Sequence, residues 1–363
     1  MEYDLAARNK WILEMKVEFL FSNAAFTNFA SAIVLLAFCY AQWEIVIGNG
    51  VYVAWVVGTA LLIVTRYIHL VFFKRKGSDA NYMAWLNSYR FLIFLSSLSY
   101  SLMVFLFFDA VNAAFQLFIG FIIVAMTSSA VATHGIDKLT FRLFSLPIVL
   151  SATLFLALHE VNEYNLMAAL MILLVIALER TSTQTSSIMT NNFELTYSMK
   201  YRATHDLLVG LYNRGELESQ FEQRIVDSRH GVALMFIDLD NFKPLNDSHG
   251  HEAGDEALIA VANVLRTRIR NDDLAARLGG DEFVILLSLD DISIAEQIAD
   301  NIRSEIASLF IADKRMEKLS CSIGLVFKKD SQIGFSRLLR EADLGCYDSK
   351  AHGKNKVSVR VVE

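Results

Sequence analysis

The chain has 363 residues, of which 54% are hydrophobic, and it carries a formal net charge of −6 at pH 7. This length allows about two or three domains, and the negative charge argues against nonspecific binding of nucleic acid. The three cysteines, Cys39, Cys321 and Cys346, form no CxxC motif and no Cys/His cluster. This spacing excludes a disulfide framework and a zinc site. Long apolar stretches are confined to the half before about Glu179, and the half after it has an ordinary globular composition.

Six apolar segments in the first half approach the length of about 20 residues that a membrane-spanning helix needs. They lie at roughly 19–41, 45–65, 91–108, 111–132, 143–158 and 161–178. Glu14, Lys16 and Glu18 precede the first segment, and no small-residue cleavage site follows it. We therefore expect no cleavable signal peptide and a membrane region over residues 1–178.

Basic residues alternate between the loops of this region. They precede the first span, flank the loop between spans two and three, separate spans four and five, and follow span six: Arg8, Lys10 and Lys16; Arg66, Lys74, Arg75, Lys76 and Arg90; Lys138 and Arg142; and Arg180. The other three loops contain neither Lys nor Arg. The positive-inside rule then predicts a multi-pass protein of the bacterial cytoplasmic (inner) membrane, with its N- and C-termini both in the cytoplasm.

Ionisable residues are sparse within the predicted spans, which favours a sensor or anchor over a transporter. Arg66 and His69 lie near the inner end of span two, where the sequence indicates side chains that snorkel to the interface. The basic run Lys74 to Lys76 is interpreted as a signal that orients the membrane region. Contact with anionic membrane lipid is the alternative. The sequence does not identify a stimulus.

Residues 179–204 contain no Gly or Pro, which predicts a helical connector that continues from span six. Ile188, Phe193, Leu195 and Met199 form a partial apolar stripe along it. The stripe leaves two interpretations open: pairing with a second copy in a dimer, or a plain polar stalk.

The second half alternates predicted strands and helices. A turn at 205–214 opens a helix at 215–227, and a buried strand at 232–238 follows. Residues 241–251 are expected to form a turn before a long helix at 252–270. The remaining predicted elements are strands at 274–278 and 283–289, a helix at 292–309, a strand at 319–327, a helix at 336–351 and a strand at 357–362.

Two acids end neighbouring strands of this predicted sheet. Asp238 closes the strand at 232–238, and Asp281 lies in a Gly279-Gly280 turn between the next two strands. For the turn alone, a solvated hairpin tip is the simpler interpretation. Two carboxylates with Lys243 nearby and no His or Cys ligand favour Mg²⁺ shared with phosphate. Enzymes of phosphoryl and nucleotidyl transfer use such a site to align an oxygen nucleophile with an α-phosphate.

Five ordered motifs carry a resemblance to a known family. They are DLLVGLYNR at 206–214, FIDLDNFKPLND at 236–247, GHEAGD at 250–255, RLGGDEF at 277–283 and SIG at 322–324. Over residues 205–363 the chain resembles the GGDEF-domain diguanylate cyclases. The resemblance implies an α/β (α+β) domain, a sheet with flanking helices similar to the palm of nucleotidyl cyclases, placed after an α-helical transmembrane bundle.

The resemblance also implies roles for the metal and the reaction. Asp238 and Asp281 would bind Mg²⁺ or Mn²⁺ through their carboxylates, and Leu239 through its backbone carbonyl. Glu282 would be the general base for the ribose 3′-hydroxyl of GTP, or a ligand of a second metal. Lys243 would stabilise phosphate charge in the transition state.

Substrate contacts are implied in the same way. Asn246 and Asp255 would read guanine, since a carboxylate can accept from both N1–H and the exocyclic amine. Phe242 and His251 would contribute to substrate binding. Lys350 and Lys354 would reach the triphosphate. Asp240 and Asp247 are expected to be structural or solvated.

Arg270-Asn271-Asp272-Asp273 resembles the family's RxxD inhibitory motif, in which Arg270 and Asp273 would bind cyclic di-GMP. The alternative is an arginine at a helix C-terminus beside a charged loop. Departures from the family pattern are Val209, Pro244, Gly345-Cys346 and Lys354, of which the last keeps charge but loses bidentate geometry.

The resemblance therefore predicts a diguanylate cyclase that condenses two GTP into cyclic di-GMP and two pyrophosphates. It would act as a homodimer, bind no nucleic acid, and be inhibited by its product through the RxxD site. The alternative is a catalytically weak receptor module that binds GTP or cyclic di-GMP.

Overall fold

A computed structural model describes residues 2–76, 81–159, 161–224, 231–270, 272–311, 315–316, 318–329 and 333–362. The chain divides into two compact units, Met1–Tyr197 and Ser198–Glu363.

The described residues of the N-terminal unit form helices joined by short turns. Its helices are α1 (Glu2–Ala41), α2 (Trp43–Ile47), α3 (Gly50–Lys76), α4 (Tyr82–Phe107), α5 (Ala113–His134), α6 (Lys138–Ala157) and α7 (Asn162–Thr204), with a 3₁₀ turn at Phe108–Ala110. Among the described residues, six helices are long and apolar enough to cross a membrane. This confirms six long apolar helices at the N-terminal end of the chain.

Several helices extend beyond the predicted spans. Helix α1 begins at Glu2 rather than near 19, α3 ends at Lys76 rather than near 65, and α4 begins at Tyr82 rather than near 91. Hydropathy detects only the apolar part of a helix, whereas backbone hydrogen bonding continues into its polar ends. Helix α7 runs without a break through the segment predicted as a connector.

Side-chain caps define where three of these helices begin. Asn81, Asn112 and Asp137 each accept a hydrogen bond from the backbone N–H three residues on, at 3.2, 3.0 and 3.0 Å. Such caps satisfy one of the free amides of a helix N-terminus. Asp137 also accepts from Arg90 at 2.9 Å, which ties the start of α6 to α4.

Arg66 does not snorkel, so the interpretation made from sequence is wrong at this residue. Its side chain is buried, and the residue is 7% exposed. Arg75, at the end of the apolar part of α3, lies about 13 Å further along the helix at 1.5 Å per residue. An arginine side chain cannot span that distance, and Arg66 instead points into the bundle, where Thr27, Ser31 and Ser96 contact it.

The C-terminal unit contains a five-stranded sheet with strand order β2-β3-β1-β4-β5. The strands are β1 (Val232–Asp240), β2 (Leu274–Gly279), β3 (Glu282–Ser288), β4 (Ser320–Lys328) and β5 (Val357–Val361). The helices are α8 (Arg214–Arg224), α9 (Phe242–His249), α10 (His251–Arg268), α11 (Ile292–Ile311) and α12 (Phe335–Ala351). Strand β1 lies at the centre, antiparallel to β3 and β4, and β5 pairs parallel to β4.

Alternate residues of β1 face two separate cores. Ala233, Met235 and Ile237 pack with residues of α10 and α11, whereas Val232 and Leu234 pack with residues of α8 and α12. This two-residue alternation is that of a strand covered on both faces. It explains the continuous apolar run in the sequence.

Helix α9 was not predicted, because its sequence was interpreted as a turn. Asn241 precedes it with φ 63°, in the left-handed region that asparagine tolerates. Pro244 falls in its first turn, where a missing N–H costs no helical hydrogen bond. The helix has only eight residues, too few to give a clear apolar period.

Helix α12 packs closely on β4 through two glycines. A Cβ on Gly324 would lie 1.9 Å from the carbonyl oxygen of Ala342 and 2.3 Å from the amide nitrogen of Cys346. A Cβ on Gly345 would lie 3.1 Å from the Cα of Gly324. The close approach fixes the height of α12, and hence of its last turn, above the sheet.

Candidate active site

The end of β1 lies beside the hairpin between β2 and β3. In the antiparallel register Asp238 is opposite Glu282, and the amide of Leu239 donates to the carbonyl oxygen of Asp281 at 3.3 Å. Gly279 and Gly280 have φ values of 152° and 55°, which side-chain-bearing residues rarely adopt. The turn therefore holds both acids of the hairpin next to Asp238.

Arg277 connects this hairpin to the turn that precedes α8. Arg277 donates from Nε and Nη2 to the carbonyl oxygen of Gly280, at 2.9 and 2.7 Å. Its Nη1 donates to both carboxylate oxygens of Asp206, each at 3.1 Å. Asp206 in turn accepts from the amides of Leu208 and Val209 at 3.0 Å. The turn that precedes α8 is thus tied to the acidic hairpin through one side chain.

Negative charge accumulates at the hairpin. Burial, then the carboxylates of Asp238, Asp281 and Asp343, raise the pKa of Glu282 above its usual value. Burial is also the largest cause that raises the pKa of Asp238, and Asp281 adds to it. Lys350, at the end of α12, opposes this effect. A site of this kind is stabilised by a cation.

Lys350 supplies one such cation, with Nζ 2.6 Å from Oδ1 of Asp238. Burial lowers the pKa of Lys350, but its contact with Asp238 outweighs this and raises the pKa overall. The pKa of Asp238 is nevertheless raised, because burial, the largest cause, together with the carboxylates of Asp281 and Asp240, outweighs the contact with Lys350. One ammonium therefore leaves the cluster with excess negative charge.

The donor set fits a hard divalent cation. Asp238 and Asp281 provide carboxylate oxygens, and the carbonyl of Leu239 could provide a third oxygen at the same strand end. Within the described residues no three His, Cys, Asp or Glu side chains converge closely enough to bind a metal by themselves. A metal here would therefore need the carbonyl and oxygens from a substrate or water, as Mg²⁺ sites shared with phosphate do.

A second set of predicted residues lies where α9 meets α10. A Cβ on Gly254 would lie 2.1 Å from Oδ1 of Asn246 and 3.1 Å from Cζ of Phe242, so only glycine fits beside these side chains. Oδ1 of Asn246 is buried, and among the described residues it has no hydrogen-bond partner. A buried acceptor without a donor is uncommon and is consistent with a ligand that donates to it. His251 and Asp255 are exposed in the first turns of α10.

The C-terminal part of the chain matches a known protein family. The family profile described as "Diguanylate cyclase, GGDEF domain" matches residues 203–356. Residues 203–356 are a GGDEF domain. The whole fold is therefore six long apolar helices followed by an α/β GGDEF domain with a five-stranded sheet.

Relatives of the GGDEF domain include proteins with different stated activities. The probable diguanylate cyclase DgcE of Escherichia coli is 36% identical over 174 residues, covering 47% of this chain and 16% of DgcE. The diguanylate cyclase TpbB of Pseudomonas aeruginosa is 36% identical over 162 residues, 43% of this chain and 37% of TpbB. The cyclic di-GMP phosphodiesterase PdeB of Shewanella oneidensis is 32% identical over 166 residues, 46% of this chain and 19% of PdeB.

This chain thus covers only 16 to 37% of the length of these relatives. Among solved structures, the coiled coil and GGDEF domain of DgcB from Caulobacter crescentus, in complex with c-di-GMP, aligns with a TM-score of 0.45 and 26% identity. That alignment covers 51% of this chain and all of the DgcB chain.

Two further lysines with predicted roles, Lys354 and Lys243, occupy different surroundings. Lys354 donates from Nζ to Oδ1 of Asn241 at 2.8 Å, just beyond the end of β1. Lys243 is exposed on α9.

Asp240 is buried and accepts from the Ser320 hydroxyl at 2.7 Å and, on its other oxygen, from a second hydroxyl at 2.8 Å. It also accepts the amide of Asn355 at 3.0 Å, so Asp240 is structural.

Arg270 and Asp273 lie away from the acidic hairpin. They precede β2, whereas the Gly279-Gly280 turn follows it, and six residues of strand span about 20 Å. Oδ2 of Asp273 accepts from the Arg270 amide at 2.8 Å. Burial is the main cause that raises the pKa of Asp273. Asn271, within the predicted motif, lies outside the described residues.

Three contributors to the site were not assigned roles from sequence. Arg277 and Asp206 belong to quoted motifs, but only their contact with each other and with Gly280 shows what they do. Asp343 adds charge beside Glu282, from a helix far along the chain. The sequence offered one signal for Asp343. It lies seven residues before Lys350 in the same predicted helix, and this separation places both residues on one helix face.

Proposed function

We propose that this protein is a membrane-bound diguanylate cyclase that condenses two GTP into cyclic di-GMP and two pyrophosphates. The observation that carries the proposal is the acidic cluster of Asp238, Asp281 and Glu282 on the glycine hairpin, with Lys350 against Asp238. In the reaction, the 3′-oxygen of each GTP bonds to the α-phosphorus of the other. The bond between the α- and β-phosphates breaks each time, and pyrophosphate leaves.

Glu282 is the proposed general base. Its raised pKa is closer to neutral pH than that of an ordinary glutamate. Proton transfer from a hydroxyl to this carboxylate is therefore more favourable than transfer to an ordinary glutamate. Asp238, Asp281 and the Leu239 carbonyl are the proposed ligands of Mg²⁺ or Mn²⁺. The bound ion would supply neutralisation of phosphate charge, as is usual in nucleotidyl transfer.

The cations distribute along the proposed triphosphate path. Lys350 lies at the metal-binding carboxylate and Lys354 just beyond the strand end, so both are suited to triphosphate oxygens. Exposed Lys243 is the proposed partner of phosphate charge in the transition state. A lysine acts here as a point charge rather than through bidentate geometry.

Guanine recognition is proposed for the junction of α9 and α10. Oδ1 of Asn246, which has no hydrogen-bond partner among the described residues, can accept a hydrogen bond from guanine. The Asp255 carboxylate can accept from N1–H and the exocyclic amine. Phe242 supplies an apolar wall beside Gly254, and His251 a further polar contact. Adenine would leave Asp255 facing an acceptor at N1.

A homodimer follows from this chemistry, because each subunit holds one GTP and the two must face each other. The connector offers an apolar surface for pairing: Ile188, Leu195 and Met199 are 53, 58 and 69% exposed on α7. Their separations of seven and four residues are those of a coiled-coil seam. We propose that residues 179–204 pair in the dimer.

From the loop charges we propose a location in the bacterial inner membrane, with both termini in the cytoplasm.

Arg270 and Asp273 are the proposed inhibitory site for cyclic di-GMP. Arg270 is exposed, so its guanidinium is open to a guanine edge or phosphate. Binding there would leave the acidic hairpin free of direct contact, since β2 separates the two.

A receptor that binds nucleotide without turnover is the second candidate. It is favoured by one observation, namely that a relative called a phosphodiesterase matches almost as well as those called cyclases. The family relationship alone therefore does not decide between turnover and binding. The acidic cluster favours turnover.

The deciding experiment incubates the full-length protein in detergent with GTP and Mg²⁺ and measures cyclic di-GMP by chromatography. We expect product from wild type, and a loss of at least about 100-fold in Glu282→Gln, since a general base contributes about 10² to 10⁴. Glu296→Gln removes an exposed carboxylate from α11 and should retain full activity. Absence of product from wild type, with GTP still bound, would establish the receptor instead.

Product inhibition is tested separately with Arg270→Ala. We expect this variant to turn over GTP at the uninhibited rate in the presence of added cyclic di-GMP. Arg268→Ala, which removes an exposed arginine paired with Glu305, is the matched control. Equal inhibition of Arg270→Ala and wild type would rule out the RxxD site.

A further inference from the structure

Arg66 is a buried cation. Its Nη2 lies 3.1 Å from the hydroxyl of Thr27, and its Nη1 lies 3.4 and 3.5 Å from those of Ser31 and Ser96. These are neutral acceptors, two of them at the limit of hydrogen bonding. Among the residues that the structure describes, no Asp or Glu forms an ion pair with Arg66.

The position of Arg66 makes this arrangement costly. It lies about 24 Å along α3 from Gly50 and about 15 Å from Lys76, at 1.5 Å per residue. A hydrocarbon core is about 30 Å thick, so Arg66 is well within it. Unpaired charges at such depth are strongly unfavourable, and they usually mark a functional site.

A second buried polar residue lies nearby and lines the same cavity as Arg66. Asn28 on α1 is 5% exposed. Both its side-chain nitrogen and its side-chain oxygen are buried, and neither has a hydrogen-bond partner within the described part of the chain. Two unsatisfied buried atoms beside a guanidinium that has no carboxylate partner among the described residues indicate that a polar ligand or water belongs there.

Arg66 lines two cavities of the bundle. The first is also bounded by Asn28, His69 and Tyr89 and has a volume of about 10 Å³. The second has a volume of about 50 Å³ and is bounded by Arg66, His134 and the hydroxyl-bearing residues Thr27, Ser31 and Thr133. The first cavity therefore has room for about one water molecule, and the second for a few atoms beyond hydrogen.

We propose that Arg66 and Asn28 form a binding site for a carboxylate monoanion inside the helical bundle. A guanidinium presents a planar fork that matches both oxygens of a carboxylate. The Asn28 amide nitrogen adds a donor. The two cavities contain one permanent cation between them, which balances a single negative charge and disfavours a doubly charged phosphate.

The larger cavity opens at the outer surface of the bundle. Phe26, which is 63% exposed, and the exposed Ser129 form its rim between α1 and α5. In a bilayer this surface meets lipid or a neighbouring subunit. The carboxylate could thus belong to a small water-soluble acid or to the head of a fatty acid that enters from the membrane.

The experiment uses the full-length protein in lipid nanodiscs and follows thermal unfolding by tryptophan fluorescence. All four tryptophans, Trp11, Trp43, Trp55 and Trp85, lie in the N-terminal unit, so the signal reports on the bundle and not on the GGDEF domain. The probes are sodium acetate, sodium dodecanoate and, as an uncharged control with the same chain, dodecanol.

We expect a carboxylate probe to raise the unfolding midpoint of wild type in proportion to the logarithm of its concentration. If acetate raises the unfolding midpoint, the ligand is a small acid. If only dodecanoate raises it, the ligand is a membrane amphiphile. Arg66→Gln should show no probe-dependent rise, and Asn28→Ala a smaller one. Lys74→Gln removes an exposed cation from the same helix outside the cavities and should respond like wild type.

The midpoint without probe gives an independent check. Because Arg66→Gln removes an uncompensated charge, its midpoint should equal or exceed that of wild type. A lower midpoint would mean that the guanidinium stabilises the bundle by itself and would overturn the proposal. So would an equal rise with dodecanol, a rise that persists in Arg66→Gln, or no rise with either carboxylate.

Discussion

Arg277 should set the activity of the acidic hairpin although it touches neither proposed substrate nor metal. It bonds the Gly280 carbonyl oxygen twice and Asp206 on both carboxylate oxygens. The side chains of Arg277 and Asp206 are 12 and 24% exposed, against 48 and 31% for Arg268 and Glu305. An exposed pair such as the latter contributes about 0–1 kcal/mol, whereas hydrogen bonds to charged groups contribute about 1.5–3 kcal/mol each.

Removing the guanidinium therefore has a calculable cost. Arg277→Ala loses both partners, and after a discount for partial exposure we expect the local opening free energy of the hairpin to fall by about 2–4 kcal/mol. Arg277→Lys keeps the charge, but its single ammonium cannot reach Gly280 and Asp206 together. We expect about half of that loss.

The expected kinetic effect is on kcat. The hairpin carries Glu282, whereas the proposed contacts to guanine and triphosphate lie on α9, α10 and α12. A displaced hairpin should lower kcat about 100-fold in Arg277→Ala, since misplacement by about 1 Å can cost that much. The KM for GTP should change little.

The assay combines initial rates of cyclic di-GMP formation with hydrogen exchange of the β2 and β3 amides in the full-length protein. Arg268→Ala is the control and should leave both readouts unchanged. The positioning argument is refuted if Arg277→Lys retains wild-type kcat. It is also refuted if the loss falls on KM alone, or if exchange at β2 and β3 is unaltered.

Three other substitutions test the acids and the packing around the hairpin. Because the pKa of Glu282 is raised, folding favours its protonated form, and stability is lost as pH rises through the folded pKa. The β3 amides of Glu282→Gln should therefore exchange more slowly than those of wild type at about pH 8. Below about pH 4 the two proteins should exchange at equal rates. Faster exchange in the variant at pH 8 would contradict the argument. Asp240→Asn should weaken protection of β1 and β4 by about 1–3 kcal/mol, because a buried carboxylate with three donors is lost, and unchanged protection would show that the charge is not needed. Gly324→Ala should cost about 1–3 kcal/mol and raise the KM for GTP by displacing α12, with Gly345→Ala as a milder control; equal damage from both would disprove the packing argument.

The sheet and the hairpin acids could be predicted because their signals are local. The run at 232–238 is apolar on both faces, and two consecutive glycines before Asp281 require a turn. Helix α9 has no such signal, since its eight residues contain Pro244 and begin after a left-handed Asn241. Its existence depends on packing against α10 and not on its own pattern.

Contacts between distant segments could not be predicted from one sequence. Nothing in the sequence near Arg277 states that its partner is Asp206, 71 residues earlier. Arg66 illustrates the opposite error, where a general rule was available but wrong. Snorkelling describes a lysine or arginine near a helix end, and only the extension of α3 to Lys76 shows that Arg66 is far from one.

The acidic hairpin and Arg66 are related by the same physical argument with opposite sign. At the hairpin, carboxylates crowd together and one lysine only partly compensates them. In the bundle, one guanidinium faces neutral hydroxyls and an amide that has no hydrogen-bond partner among the described residues. Each arrangement destabilises the folded chain unless an ion of the other sign is bound. Because each site lowers the stability of the folded chain when it is empty, binding of its ligand should raise that stability. The ligand is a cation with GTP at the hairpin and a carboxylate at Arg66. That shared consequence separates binding sites from structural ion pairs such as Arg90 with Asp137, whose charges are already matched.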